Sequence, residues 1–183
     1  TNNLNLSGLD VVVLGGGNTA YDVARVVKRL GNNVSIAYRR DIANSPAAVS
    51  EIKLAQEEGI RILECLLPYN IEVVNNKKVI SFKKTMLVND GGTRLNFKET
   101  DEVIALECDL IIEAIAENPE QKIAFYQELA KYMDEKTILV TNSSTLLPSM
   151  FAEYTGRPEK YLSLHFANTI WQNNTAEVMG HAG

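Results

Sequence analysis

Near its amino terminus the chain carries an apolar strand, a glycine turn and an amphipathic helix in direct succession. Residues 11–14 are Val-Val-Val-Leu, a run typical of a parallel strand that is buried on both faces. Residues 15–17 are all glycine, and apolar residues recur at helical spacing between 20 and 30. Because the first turn of a helix has free backbone N–H groups and the positive end of the helix dipole, this unit predicts a place where phosphate groups bind.

The turn matches G-x-G-x-x-A, the fingerprint of dinucleotide-binding domains, in the strand–turn–helix setting that this fingerprint requires. We expect Gly15 to allow the tight turn, Gly17 to let the backbone approach a pyrophosphate, and Ala20 to let helix and strand pack closely. A plain glycine turn is the alternative. The loop predicted to bind the cofactor comprises Gly15, Gly16, Gly17, Asn18, Thr19 and Ala20.

The next predicted strand, residues 34–38, ends in Arg39 and Arg40. Dinucleotide sites that prefer NAD carry an acidic residue near this position, which binds the ribose 2′-hydroxyl. Here the nearest acid, Asp41, follows the arginines. Since a guanidinium fork suits a 2′-phosphate, the pair favours NADP(H) as cofactor, with NAD(H) as the alternative. A basic strand end that only faces solvent is the second alternative.

The rest of the chain continues to alternate strands and helices. Ser45 and Pro46 suggest an N-cap and first turn, and Asn-Asn and Asp-Gly-Gly turns between β-rich runs at 71–98 predict an antiparallel meander. Strands are predicted at 60–63, 108–115, 137–141 and 161–164, and helices at 47–58, at 119–133 and up to about Tyr154. We expect one doubly wound α/β domain over residues 1–183, a Rossmann-like parallel sheet of order 3-2-1-4-5-6 with the meander after strand 3.

The charge and composition of the chain argue against some classes of binding partner. A net charge of −5 argues against broad binding to nucleic acid or to anionic membranes, and no apolar run has membrane-spanning length. Cys65 and Cys108 lie in apolar runs and are expected to be buried free thiols, which fits a cytoplasmic location. No metal site is predicted.

The first part of the chain, about residues 8–117, resembles the NADPH-binding domain of the glutamate synthase small subunit and related flavin-dependent pyridine nucleotide oxidoreductases. The resemblance lies in Gly-Gly-Gly-Asn-Thr-Ala-Tyr-Asp-Val-Ala at 15–24, Ala-Tyr-Arg-Arg at 37–40 and Glu-Glu-Gly-Ile at 57–60. It implies a domain that delivers hydride from NADPH to FAD. The FAD-binding segments of that family lie outside the matched part.

The later part, about residues 109–183, resembles the L-3-hydroxyacyl-CoA dehydrogenases, which convert 3-hydroxyacyl-CoA to 3-oxoacyl-CoA. Matching stretches lie at 112–119, 141–146, 155–159, 164–168 and 171–177. The family relation implies acyl-CoA as substrate.

This second resemblance implies roles for individual residues. His165 would be the base that takes the hydroxyl proton, Glu177 would orient its imidazole and raise its pKa, and Ser144 would hydrogen-bond the substrate oxygen. Positions that match cofactor contacts are Glu117, Lys122, Ser144 and Asn168. From spacing alone, a histidine and a glutamate twelve residues apart would be a surface pair, and His181 is expected to be solvated.

The two resemblances meet at residues 109–118, where one strand suits both families. We therefore consider a chimera, engineered or recombined, that joins a reductase-like part, 1–117, to a dehydrogenase-like part, 118–183. A C-terminal helical domain or an FAD-binding domain would be the missing natural partner, so weak turnover is expected. Three functions stay open: a dehydrogenase domain, an NADPH-binding module of a flavin reductase, and a fold without activity.

Overall fold

The computed structural model describes residues 7–74, 77–88, 96–115, 118–131, 139–143, 145–166 and 176–181. Its strands are β1 Asp10–Leu14, β2 Asn33–Ala37, β3 Arg61–Leu63, β4 Leu66–Val74, β5 Lys77–Val88, β6 Asn96–Cys108, β7 Leu110–Glu113, β8 Leu139–Thr141, β9 Tyr161–Phe166 and β10 Ala176–Met179. The α-helices are α1 Asn18–Arg29, α2 Val49–Glu57 and α3 Pro119–Ala130.

Seven strands form the main sheet in the order β10-β9-β8-β7-β1-β2-β3. Six of them pair in parallel, which confirms the predicted order 3-2-1-4-5-6 and the doubly wound fold. The seventh, β10, is antiparallel to β9 at the sheet edge. It was not predicted, because a segment of four residues is too short for its alternation to give a clear strand signal.

The predicted meander is present as a separate antiparallel sheet of order β4-β5-β6. It is longer than predicted, because β6 continues to Cys108, where Cys108 pairs with Lys78. The predicted strand 108–115 is therefore divided: Cys108 ends the meander, and the parallel strand β7 begins at Leu110. The chain passes from the meander to the parallel sheet at Asp109, whose backbone N–H donates to the carbonyl oxygen of Asp10.

Strand β1 is the centre of the core because its alternate side chains pack on opposite faces. Val11 and Val13 lie with α1 and α2, whereas Val12 and Leu14 pack against the meander. The meander therefore covers one face of the sheet beside the carboxyl ends of β1 and β2.

Two helical predictions need correction. Helix α2 begins at Val49 rather than at 47, and its N-cap residue Ala48 donates its backbone N–H to Asn18 Oδ1 at 2.8 Å. Ser45, the predicted cap, instead donates to the carbonyl of Gly16 at 2.6 Å. The predicted helix up to Tyr154 is a pair of short 3₁₀ turns, since Pro148 starts a new turn and Gly156 ends the second one in a left-handed conformation.

Candidate functional site

A cleft of about 610 Å³ opens at the carboxyl ends of β1, β2 and β7. This is the edge of the sheet where ligands bind in open α/β folds. The residues predicted to bind the cofactor that line the cleft are Gly15, Gly16, Gly17, Thr19, Arg39, Arg40 and Lys122. Ala20 lies fully buried beneath the loop, and Asn18 turns its side chain toward α2.

The structure accounts differently for the glycine at each of the three loop positions. A Cβ at Gly15 would lie 2.2 Å from the carbonyl oxygen of Ala114, and its φ of +147° suits glycine alone. A Cβ at Gly16 would lie 2.3 Å from the ring of Tyr38. A Cβ at Gly17 would meet no atom within 4 Å. Packing inside the chain therefore explains glycine at positions 15 and 16 but not at 17, where the open space borders the cleft.

The amino end of α1 faces the same cleft. Gly17 is its N-cap and has no side chain to cap the helix. Gly17 accepts from the N–H of Ala20 at 2.9 Å, while within the described chain the N–H groups of Asn18 and Thr19 have no acceptor. Free N–H groups at a helix start suit phosphate oxygens.

Arg39 and Arg40 stand at the other side of the loop, beside the meander. Their guanidinium carbons lie 5.1 and 6.0 Å from the centre of the Phe97 ring. Burial lowers the pKa of Arg39, and the neighbouring charge of Arg40 lowers it further. The carboxylate of the next residue, Asp41, accepts from the backbone and side-chain nitrogens of Asn44, and within the described chain it forms no ion pair with either arginine.

A buried polar network forms the opposite wall. Glu113 Oε1 accepts from Lys122 Nζ at 3.0 Å and from the N–H of Ile115 at 2.8 Å. Glu113 Oε2 accepts from the Tyr126 hydroxyl at 2.9 Å and from Thr141 Oγ1 at 3.4 Å. Burial and the charge of Glu113 raise the pKa of Tyr126. Lys122 is therefore a structural partner of Glu113 as well as a cleft residue.

The sequence prediction did not include Glu113, Tyr38 or Phe97. For Glu113 the sequence offered one signal, which is a glutamate inside an otherwise apolar strand with a lysine nine residues later. Tyr38 and Phe97 gave no such signal, because their partners Gly16 and Arg39 are known only from the fold.

His165 and Glu177 face each other across β9 and β10. They are directly paired in the strand register, and His165 Nδ1 lies 3.4 Å from Glu177 Oε2. His165 lies within β9 rather than after it, and it is not among the described residues that line the cleft.

Three predicted site residues, Glu117, Ser144 and Asn168, lie outside the described residues. His181 is not simply solvated as expected, since its Nε2 lies 2.9 Å from the carbonyl oxygen of Pro158. Cys108 is a buried free thiol as predicted, and Cys65 is a free thiol that is half-buried.

Within the described ranges, no helix is long and apolar enough to cross a membrane. The same residues hold no group of three or more metal-ligating side chains.

Comparison with known proteins gives one family over nearly the whole chain. Residues 10–183 match the family model described as 3-hydroxyacyl-CoA dehydrogenase, NAD binding domain. Among solved structures, a diketoreductase is similar over 96% of this chain and 56% of its own, with a TM-score of 0.55 and 29% identity.

Two curated relatives correspond to the two resemblances in the sequence. The glutamate synthase (NADPH) small chain of Azospirillum brasilense is 33% identical over 79% of this chain and 29% of its own length. The fatty acid oxidation complex subunit alpha of Pseudomonas syringae pv. tomato is 29% identical over 86% of this chain and 22% of its own length. The chain thus spans less than a third of either relative.

Proposed function

The chain belongs to the family of 3-hydroxyacyl-CoA dehydrogenase NAD-binding domains, and on that premise we propose that its cleft binds NADP(H) in preference to NAD(H) for hydride transfer to or from an acyl-CoA substrate. It is an NAD(P)-binding oxidoreductase domain. The cofactor preference, the substrate and the catalytic residues are the proposal.

The observation that carries the cofactor preference is the pair Arg39 and Arg40 at the edge of the cleft. Within the described chain neither guanidinium forms an ion pair, and Arg40 Nε is buried without a hydrogen-bond partner. Two adjacent, half-buried cations without a counter-charge repel each other, so an anionic ligand group would stabilise this arrangement. A 2′-phosphate supplies that charge, and a bare ribose hydroxyl does not.

The glycine loop supports binding of the pyrophosphate. The space beside Gly17 is open, and the free N–H groups of Asn18 and Thr19 face an anion with the positive end of the α1 dipole. The residues of the loop therefore fit a dinucleotide.

For the reaction, we assign the base to His165. Bound NADP⁺ would accept the hydride from C3 of a 3-hydroxyacyl-CoA. His165 would take the hydroxyl proton, giving the 3-oxoacyl product, and Glu177 would orient the imidazole. Ser144 is assigned to the substrate oxygen, and Glu117, Lys122 and Asn168 to the cofactor.

The test of this assignment is oxidation of NADPH that depends on acetoacetyl-CoA. General base catalysis contributes about 10²–10⁴-fold, so His165→Ala should lose at least about a hundredfold in rate. Glu177→Gln should lose less. His181→Ala is the matched control, because His181 contacts Pro158 and Tyr161 rather than Glu177, and it should keep the rate. Equal rates in His165→Ala and the wild-type chain would exclude the assignment.

The meander favours a second candidate, an NADPH-binding module that passes electrons to a flavoprotein. The glutamate synthase relative carries NADPH in its name, and its resemblance includes the meander. In that case NADPH oxidation would need an added flavoprotein, would ignore acetoacetyl-CoA, and would be unchanged in His165→Ala. Absence of nucleotide binding altogether would support the third possibility, a fold without activity.

A further inference from the structure

The meander is joined to the backbone of the arginine pair at three consecutive carbonyl groups. The carbonyl of Tyr38 accepts from the N–H of Leu66 at 2.9 Å, and that of Arg40 accepts from the N–H of Cys65 at 3.0 Å. The carbonyl of Arg39 accepts from Thr85 Oγ1 at 2.7 Å. Thr85 is itself buried at the irregularity in β5, so the backbone from 38 to 40 is fixed by the first two meander strands.

The third meander strand contacts the side chains of the same pair. Phe97, near the start of β6, presents its ring within about 6 Å of both guanidinium carbons, the range of a cation–π interaction. A guanidinium beside the face of a ring keeps N–H groups for a bidentate anion contact. The ring thus supports the arginines without supplying an acceptor that would compete with a phosphate.

The like charges of Arg39 and Arg40 explain why their side chains need a support from the meander. Two adjacent guanidinium groups repel each other, and in the described chain no carboxylate forms an ion pair with either of them. Without a fixed backbone and a stacking surface the two side chains would separate into solvent. Binding would then have to reorder both of them, which lowers affinity.

We propose that the meander is a specificity-determining part of the nucleotide site, in which Phe97 is the positioning residue that holds Arg39 and Arg40 for a 2′-phosphate. This inference rests on the proposed preference for NADP(H). It adds that the preference depends on an element outside the parallel sheet and its glycine loop.

The test compares the affinity of NADPH with that of NADH, by nicotinamide fluorescence, in Phe97→Leu and Phe97→Trp. Leucine keeps the apolar contact but lacks the ring, so NADPH binding should weaken by about fivefold to thirtyfold while NADH binding changes by less than about twofold. Tryptophan keeps the ring face and should retain the preference. Val103→Ala is the control, because Val103 is exposed on the same strand and should leave both affinities unchanged.

Three results would overturn the inference. Equal losses of NADPH and NADH affinity in Phe97→Leu would mean that the ring only stabilises the fold. An unchanged NADPH preference in Phe97→Leu, with a clear preference in the wild-type chain, would reject the role of Phe97 and leave the proposed function intact. No preference in the wild-type chain would reject both.

If Phe97→Leu shows no cooperative unfolding transition, Thr85→Val takes its place. Valine matches the shape of threonine but cannot donate to the Arg39 carbonyl, so the ratio of the two affinities should fall by about twofold to tenfold. A ratio equal to that of the wild-type chain would contradict the proposal.

Discussion

The ammonium of Lys122 donates to the carboxylate of Glu113 at 3.0 Å, and both side chains are almost fully buried at the wall of the cleft. Lys122 begins the second turn of α3, and Glu113 ends the parallel strand β7. The ion pair thus joins the helix to the sheet at the point where the cofactor is expected to lie. Its contribution to stability is separable from any contact with a ligand.

Removing one partner of this pair should be costly. Lys122→Met leaves the Glu113 charge buried, so we expect the free energy of unfolding to fall by about 3–5 kcal/mol. The double variant Lys122→Met/Glu113→Gln should recover much of that loss. Urea unfolding measures the free energy of unfolding of the single and the double variant.

Lys131→Met, at the C-cap of the same helix, is the control. Its partner Glu128 is exposed, so the loss should stay below about 1 kcal/mol. A Lys122→Met variant as stable as this control would show that the buried pair is not important for the fold.

The glycine loop predicts three different outcomes for the same substitution. Gly15→Ala should lose more than about 2 kcal/mol of stability, since it meets the Ala114 carbonyl at a positive φ. Gly16→Ala should lose about 1–3 kcal/mol against the Tyr38 ring. Gly17→Ala should lose less than about 1 kcal/mol, yet weaken NADPH binding by at least about tenfold. Thermal unfolding and fluorescence titration distinguish them, and full NADPH affinity in Gly17→Ala would contradict the assigned pyrophosphate position.

Asp22 on α1 makes the stability depend on pH. Burial raises the pKa of its carboxyl to about 6, with a further rise from Glu51 and an opposing effect of Arg25. Because the folded pKa lies above the unfolded one, this stabilising contribution is complete below about pH 4 and is lost as the pH rises through about 6.

Asp22→Asn should remove the loss of stability that accompanies the rise in pH through about 6. After allowance for solvent screening, the variant should be more stable than the wild-type chain by about 1–2 kcal/mol at pH 7 and equal to it near pH 4. Glu72→Gln, which changes an exposed carboxylate on β4, is the control and should show no such difference. Urea unfolding at both pH values checks this, and a constant difference across the range would refute the titration of Asp22.

The parallel strands and the meander were predictable because their signals are local, and the strand order followed from the doubly wound fold that these strands and the glycine turn indicate. Apolar runs, glycine turns and Asn or Asp turns lie next to the elements that they define. The start of α2 was not predictable, since the backbone N–H of its N-cap residue Ala48 binds Asn18, thirty residues earlier in the chain.

The pairing of His165 with Glu177 shows the same limit at the candidate site. Their separation carries no local signal, and they meet because β10 adds to the sheet edge in register with β9. The sequence indicated this pair only through family resemblance. Likewise, the contact of Phe97 with Arg39 joins two sheets, and no periodicity in either segment predicts it.

A titration of the wild-type chain and of Arg39→Ala/Arg40→Ala with NADPH and NADH, followed by nicotinamide fluorescence, tests directly whether the arginine pair selects the cofactor. Since the two arginines would supply charge-assisted contacts to the 2′-phosphate, the double variant should lose at least about a hundredfold in NADPH affinity. Its NADH affinity should stay within about threefold of the wild-type value. Equal affinity of the wild-type chain for the two cofactors, or an NADPH affinity that survives the loss of both arginines, would contradict a preference for NADP(H) set by Arg39 and Arg40.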